Sequence, residues 1–178
     1  YMFNGAISFN QPIGDWDVSN VTTMWSMFEG ATSFNQPVGD WDVSSVTNMA
    51  GMFSNASSFN QPIGDWNVSN VTNMYEMFRF ATAFNQPIGD WDVSNVSTMQ
   101  NMFNSSGLNT CNYDNTLIGW STLDLTPNVL LGASGINYCD SETERQSIID
   151  NFGWTINDDG LNCSELELCI PTANFSAS

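Results

Sequence analysis

Polar and apolar residues alternate along Asp15-Trp16-Asp17-Val18-Ser19, and the alternation returns at Asp40-Trp41-Asp42-Val43-Ser44, Asp65-Trp66-Asn67-Val68-Ser69 and Asp90-Trp91-Asp92-Val93-Ser94. A period of two predicts a strand with Trp and Val facing in and the flanking polar residues facing out. The apolar spacing then changes to steps of three and four through Val21, Met24, Met27, Phe28 and Ala31. That suits one face of a short helix capped by Ser19 or Asn20. The three-residue steps Val18, Val21, Met24 and Met27 equally suit a 3₁₀ or extended path, so both readings stay open. Phe34 is expected to be buried. Asn35-Gln36-Pro37 is expected to turn, with Pro37 outside the strand because it has no N–H to donate.

These elements recur with a period of 25 and no insertion: Trp16, Trp41, Trp66 and Trp91, and likewise Phe9, Phe34, Phe59 and Phe84. A fixed period of this size signals stacked repeats, in which each unit packs only on its neighbours. The expected fold is an α/β or β-rich solenoid. Residues 1–108 would form a stack of 25-residue coils, 109–169 an α/β C-terminal cap, and 170–178 a linker to a following domain. Columns of Trp and Phe would supply the core, each buried aromatic contributing on the order of 1.5–3 kcal/mol. Asn10, Asn35, Asn60 and Asn85 are expected to form an internal amide ladder at the corner. Tyr1-Met2-Phe3-Asn4 is in phase with the run around Met27-Phe28, so the chain reads as part of a larger, multi-domain protein.

Beyond the repeats the punctuation differs. Ser141-Glu142-Thr143-Glu144 reads as a capping box opening a helix that runs through Ile148 and Ile149 to Phe152. Gly153 is the expected left-handed residue after it, and Trp154-Thr155-Ile156 the start of a strand. All four cysteines, Cys111, Cys139, Cys163 and Cys169, lie in this region. An even count without a CxxC pair points to disulfides and an oxidising compartment rather than zinc. A Cys139–Cys163 bridge would close a loop around the helix and stabilise by roughly 3 kcal/mol. Cys111 with Cys169 is the pair that remains.

Charge narrows the function. Two Lys plus Arg stand against 19 Asp plus Glu, a net charge of −17. Phosphate neutralisation needs cations, so nucleic acid is not expected as a partner, and the same argument disfavours anionic membranes. No apolar run is long enough for a transmembrane helix. The chain has no His, which removes the commonest general base and metal ligand. Acidity fits an extracellular, cation-rich setting, with plain solubility as the simpler account.

The outward carboxylates form two columns: Asp15, Asp40, Asp65 and Asp90, and beside them Asp17, Asp42 and Asp92, interrupted by Asn67. Oxygen donors in rows suit weak calcium sites, the one cofactor the chain suggests. The plainer and preferred reading is a solvated turn in which each Asp bonds local backbone N–H groups. General acid/base catalysis needs two carboxylates in unequal environments, and repetition gives equal ones, so an enzyme is not expected. The Thr22, Thr47, Thr72 and Ser97 row is too narrow and too interrupted to match ice. Asp158-Asp159-Gly160 reads as a reverse turn. The Asn20, Asn70 and Asn95 sequons recur only because the repeat does.

The run Trp16-Asp17-Val18-Ser19-Asn20-Val21-Thr22, with Met27-Phe28, Ala31, Phe34-Asn35-Gln36-Pro37 and their copies, resembles the BspA-like leucine-rich-repeat surface proteins of bacteria. The resemblance implies a right-handed leucine-rich-repeat-like solenoid, a secreted or cell-surface location, and adhesion to host proteins, other cells or surfaces. No ligand-binding residue is standard in that family. The part from Tyr113 to Ile156 looks like the C-terminal region that follows such repeats in Bacteroidetes surface proteins, which implies type IX export. The expected function is a non-enzymatic adhesion or interaction module for an extracellular protein or glycan. The alternative is a passive structural spacer or stalk in a large surface or filament protein.

Overall fold

The computed structural model describes residues 1–164; Cys169 and the expected linker at 170–178 lie outside the described residues. The repeats are built almost entirely from turns. N–H groups bond back three residues, as in Val21 to Val18, Met27 to Met24, Ala31 to Phe28 and Phe34 to Ala31, and the pattern recurs in each copy. The three-residue steps are therefore the path the chain takes, and the short helix is absent. The reason is visible in the intervening residues. Met24, Ser26, Phe28 and Gly30 donate their N–H groups to Asn48, Ala50, Met52 and Ser54 of the next unit. Alternate donors are thus committed to a neighbour and unavailable for an α-helix, and left-handed residues at Ser26 (φ 50°) and Gly30 (φ 69°) interrupt any helical run.

Parallel pairing falls at Thr23, Asn48, Asn73 and Thr98, each bridged to the next. The expected strand at 15–19 is not formed; there Trp16 closes a turn onto Ile13 and Asp17 accepts the Ser19 N–H. The in/out alternation nevertheless holds. Val18, Trp41, Val43, Trp66, Val68, Trp91 and Val93 are buried, while the Asp residues between them are exposed. Trp16 is 40 % exposed.

Equivalent residues of successive units meet in columns. Phe28, Phe53, Phe78 and Phe103 lie 5.7, 5.8 and 6.0 Å apart, ring to ring, and Phe34, Phe59 and Phe84 lie 6.0 and 6.2 Å apart. Each indole N–H crosses to the preceding unit: Trp41 to the Ile13 carbonyl, Trp66 to Val38 and Trp91 to Ile63, at 3.0–3.1 Å. The amide ladder is present as expected. Asn10 Oδ1 accepts the Asn35 N–H, Asn35 accepts from Asn60, and Asn60 from Asn85. Units approach closely enough that a Cβ on Gly39 would lie 2.6 Å from the Pro62 carbonyl oxygen, so only glycine fits there.

The column continues past residue 108. Helix α1 (Thr110–Trp120) begins at Asn109, whose N–H joins the amide ladder on Asn85 and whose side chain caps the Asn112 N–H. Its far end delivers Trp120 to Phe103 at 6.3 Å, the spacing that Trp66 and Trp91 keep with Phe53 and Phe78. Strand β1 (Leu130–Gly132) bridges Met99 through Leu131 and pairs in parallel with β2 (Thr155–Asn157). Between them α2 (Glu142–Phe152) ends at Gly153 (φ 68°), as the sequence predicts. Trp154 Nε1 donates to the Thr126 carbonyl, repeating the staple made by the repeat tryptophans.

The capping box is corrected. Ser141 occupies the N-cap position of α2 but makes no side-chain cap bond; its hydroxyl donates instead to the buried carboxylate of Asp114 in α1. The Cys139–Cys163 disulfide is formed, with Cα atoms 5.1 Å apart. Cys111 is disulfide-bonded as well, and the Cys169 expected for it lies outside the described residues. Among the described residues, no helix is long and apolar enough to cross a membrane.

Candidate functional site

The acidic columns sit where the sequence places them, on the exposed side of the Trp-Val turns. Asp17 Oδ1 accepts both the Ser19 N–H (3.1 Å) and its hydroxyl (2.6 Å), and Asp42 with Ser44 and Asp92 with Ser94 do the same. The Ser hydroxyls, then the Ser N–H groups, hold the Asp17 and Asp42 carboxyls below the usual carboxylate range. Asn67 makes the identical pair of bonds to Ser69 with a neutral amide. The turn therefore requires an oxygen acceptor, not a charge. Asp15, Asp40, Asp65 and Asp90 are all exposed. Among the described residues no group of three or more acidic, Cys or His side chains is gathered to hold a metal.

The cap holds a second charged cluster. Arg145 grips Asp158 through two nitrogens (Nε to Oδ2 2.8 Å, Nη2 to Oδ1 3.0 Å), and the buried Tyr113 hydroxyl donates to the same carboxylate. Burial, then the Asp158 charge, pushes the Tyr113 phenol well above its ordinary pKa. Burial alone would lower the Arg145 pKa, but its bonds to Asp158 outweigh that and the net shift is upward. Arg145 also donates to the Ile156 carbonyl and lies over the Tyr138 ring. These contacts tie α2 to β2 and α1.

A third surface was not singled out from the sequence. Within Asp15–Gly30 and its copies, twelve of sixteen positions hold at most two residue types. The other four hold a different residue in every copy: Trp25, Ala50, Tyr75, Gln100; Ser26, Gly51, Glu76, Asn101; Glu29, Ser54, Arg79, Asn104; and Gly30, Asn55, Phe80, Ser105. The signal was available by comparing copies for difference rather than for sameness. Backbone bonds from Ser26 to Ala50, Gly30 to Ser54, Gly51 to Tyr75, Asn55 to Arg79, Glu76 to Gln100 and Phe80 to Asn104 place these positions side by side on one face.

The face has relief. Ala50, Gly51 and Ser54 are buried and form a floor of small residues. On one side stand Trp25, 48 % exposed, and Glu29; on the other stand Tyr75, 37 % exposed, Arg79 and Phe80, 40 % exposed. Arg79 bonds Glu76 at 3.1 Å and stacks on the Phe80 ring at 4.7 Å. Asn101 donates to Glu76 and accepts from Asn104, whose own oxygen takes the Ser134 N–H. A hydrogen bond with Glu76, then burial, raises the Tyr75 pKa. Two of the four positions are left-handed in every copy: Ser26, Gly51, Glu76 and Asn101 (φ 50–62°), and Gly30, Asn55, Phe80 and Ser105 (φ 56–69°).

No curated protein and no solved structure matches the chain. One family profile covers residues 1–122, all of the repeats together with α1. On that match the chain belongs to the family described as "Mycoplasma protein of unknown function, DUF285".

Proposed function

We propose that the chain is a non-enzymatic interaction module of a secreted or cell-surface protein, a right-handed leucine-rich-repeat-like solenoid that binds an extracellular protein or glycan. The observation that carries this reading is where the copies differ. Positions whose side chains fill the core or close the turns are repeated, whereas four positions that pair with the next unit through their backbone carry a different side chain in each of the four full copies and lie side by side on one face. Three large aromatics stand exposed there, Trp25, Tyr75 and Phe80. A surface assembled this way presents many side-chain combinations on one backbone, which is how repeat proteins bind. The Cys139–Cys163 disulfide supports an oxidising compartment.

The second reading, a passive spacer or stalk in a larger surface protein, is favoured by the constancy of the other twelve positions, since identical units add length in equal steps. Binding separates the two. The full chain, immobilised and offered to a glycan array and to an array of purified extracellular proteins, is expected to show saturable binding that soluble chain competes away. A spacer gives no saturable partner.

A further inference from the structure

We infer that the variable face recognises a folded protein through a cationic patch on that protein, with Trp25, Tyr75 and Phe80 as the anchors. This rests on the interaction reading above and deepens it.

Side-chain identity on this face is held against conformational preference. The position of Phe80 is glycine in one copy (Gly30) and asparagine in another (Asn55), residues that accept a left-handed backbone readily. Phe80 has φ 56° and Glu76 φ 53°, where a bulky L-residue is disfavoured. Phe80 is 40 % exposed, so core packing does not demand it. The path of the unit fixes the left-handed backbone in every copy, and the choice of Phe at one of those positions is what packing leaves unexplained.

The chemistry of the face points to protein. Trp, Tyr and Arg are the residues that dominate protein–protein hot spots. The remaining positions are mostly Ser, Gly and Asn, the adaptable polar residues that surround aromatic anchors in antibody binding sites. A glycan would need free carboxylates and amides beside the rings. Beside Tyr75 and Phe80 they are engaged with one another: Glu76 Oε1 accepts from Arg79 and Asn101, and Asn101 accepts from Asn104. What this part of the face offers outward is the ring surface of Tyr75 and Phe80, beside a floor of small residues.

Charge selects the partner's sign. The chain carries −17, and of its two cations Arg145 is bound to Asp158, leaving Arg79 as the single positive group on a face that also holds Glu29 and Glu76. Such a field accelerates encounter with a cationic surface and repels an acidic one.

The test uses the full chain on the same two arrays, with the protein array sorted by isoelectric point. Saturable binding is expected for basic proteins, with association slowed by added salt. Trp25→Ala and Tyr75→Ala are each expected to weaken it at least tenfold, and Asp15→Asn with Asp40→Asn to change it less than twofold. Phe80→Asn installs the residue of another copy and guards against loss of fold. It is expected to keep the Tm while weakening binding at least tenfold. Saturable binding to glycans only, or to acidic proteins, overturns the partner class and leaves the interaction function standing. Binding to basic proteins that survives Phe80→Asn, Trp25→Ala and Tyr75→Ala overturns the face. Absence of saturable binding to either array overturns both.

Discussion

Asp114 in α1 accepts the Ser141 hydroxyl and backbone N–H at the start of α2, and the N–H groups of Cys139 and Asp140 as well. One buried carboxylate thereby anchors the three residues that lead into α2 against α1. Removing it strands several donors away from water, each worth about 1–3 kcal/mol when left unpaired. Asp114→Ala is expected to lower unfolding free energy by about 3 kcal/mol or more in urea titrations. Ser141→Ala, which leaves the backbone bonds in place, should lose much less.

Reduction of the Cys139–Cys163 bridge, which spans 24 residues, is expected to destabilise the cap by about 3 kcal/mol. A Cys139→Ser, Cys163→Ser double variant followed by hydrogen exchange should show the loss in α2 and β2 first, with the central repeats protected. Equal deprotection throughout would count against a local effect.

The repeat tryptophans are not equivalent. Trp66 is buried and its indole N–H reaches the Val38 carbonyl at 3.0 Å, while Trp16 is 40 % exposed in the first unit. Trp66→Phe forfeits a buried hydrogen bond and leaves a carbonyl underused, so it is expected to cost about 1–2 kcal/mol more than Trp16→Phe. Thermal unfolding of the two variants side by side checks this.

Acid should act on the Asx turns in a defined direction. The Asp17 and Asp42 carboxyls are held below their usual 3.8 by the Ser hydroxyl and N–H bonds. A group whose folded-state pKa is depressed contributes stability above its unfolded value and loses it as pH falls through the folded one. The contribution is therefore intact at neutral pH and disappears below 3.8. NMR titration is expected to place Asp17 and Asp42 below that value. Asp42→Asn, which installs the neutral residue that Asn67 supplies in its own turn, should flatten the acid limb of the Tm curve.

Because Asn67 makes the same turn without charge, calcium is not needed to hold these corners. Calcium and sodium at matched ionic strength are expected to raise the Tm equally by screening a net charge of −17. A calcium-specific rise abolished by Asp40→Asn with Asp65→Asn would establish ion sites instead.

The features legible in the sequence are those carried by short-range spacing. The period, the buried Phe and Trp columns, the amide ladder, the end of α2 at Gly153 and the Cys139–Cys163 pairing all follow from residue types at fixed offsets. The path within a unit was harder, because the residues that break the helix include Ser26, Glu76 and Phe80, which do not carry the glycine signature of a left-handed backbone. The Asp114–Ser141 contact spans 27 residues between two helices and leaves no local trace. Trp120 likewise falls off the period, arriving at the top of the aromatic column from a helix, where its indole N–H has no partner among the described residues. The variable face was hidden by the strength of the repeat itself, since attention to what the copies share treats Trp25, Ala50, Tyr75 and Gln100 as noise.

The separation of twelve constrained positions from four free ones has a consequence for inheritance. Because the backbone bonds and aromatic columns between units recur from copy to copy, replication slippage that duplicates or deletes one whole unit in the gene keeps the interior contacts. What it does alter is the order in which side chains such as Trp25 and Tyr75 follow one another along the face. Specificity in such a chain can shift by rearranging existing cassettes, without passing through a destabilised intermediate.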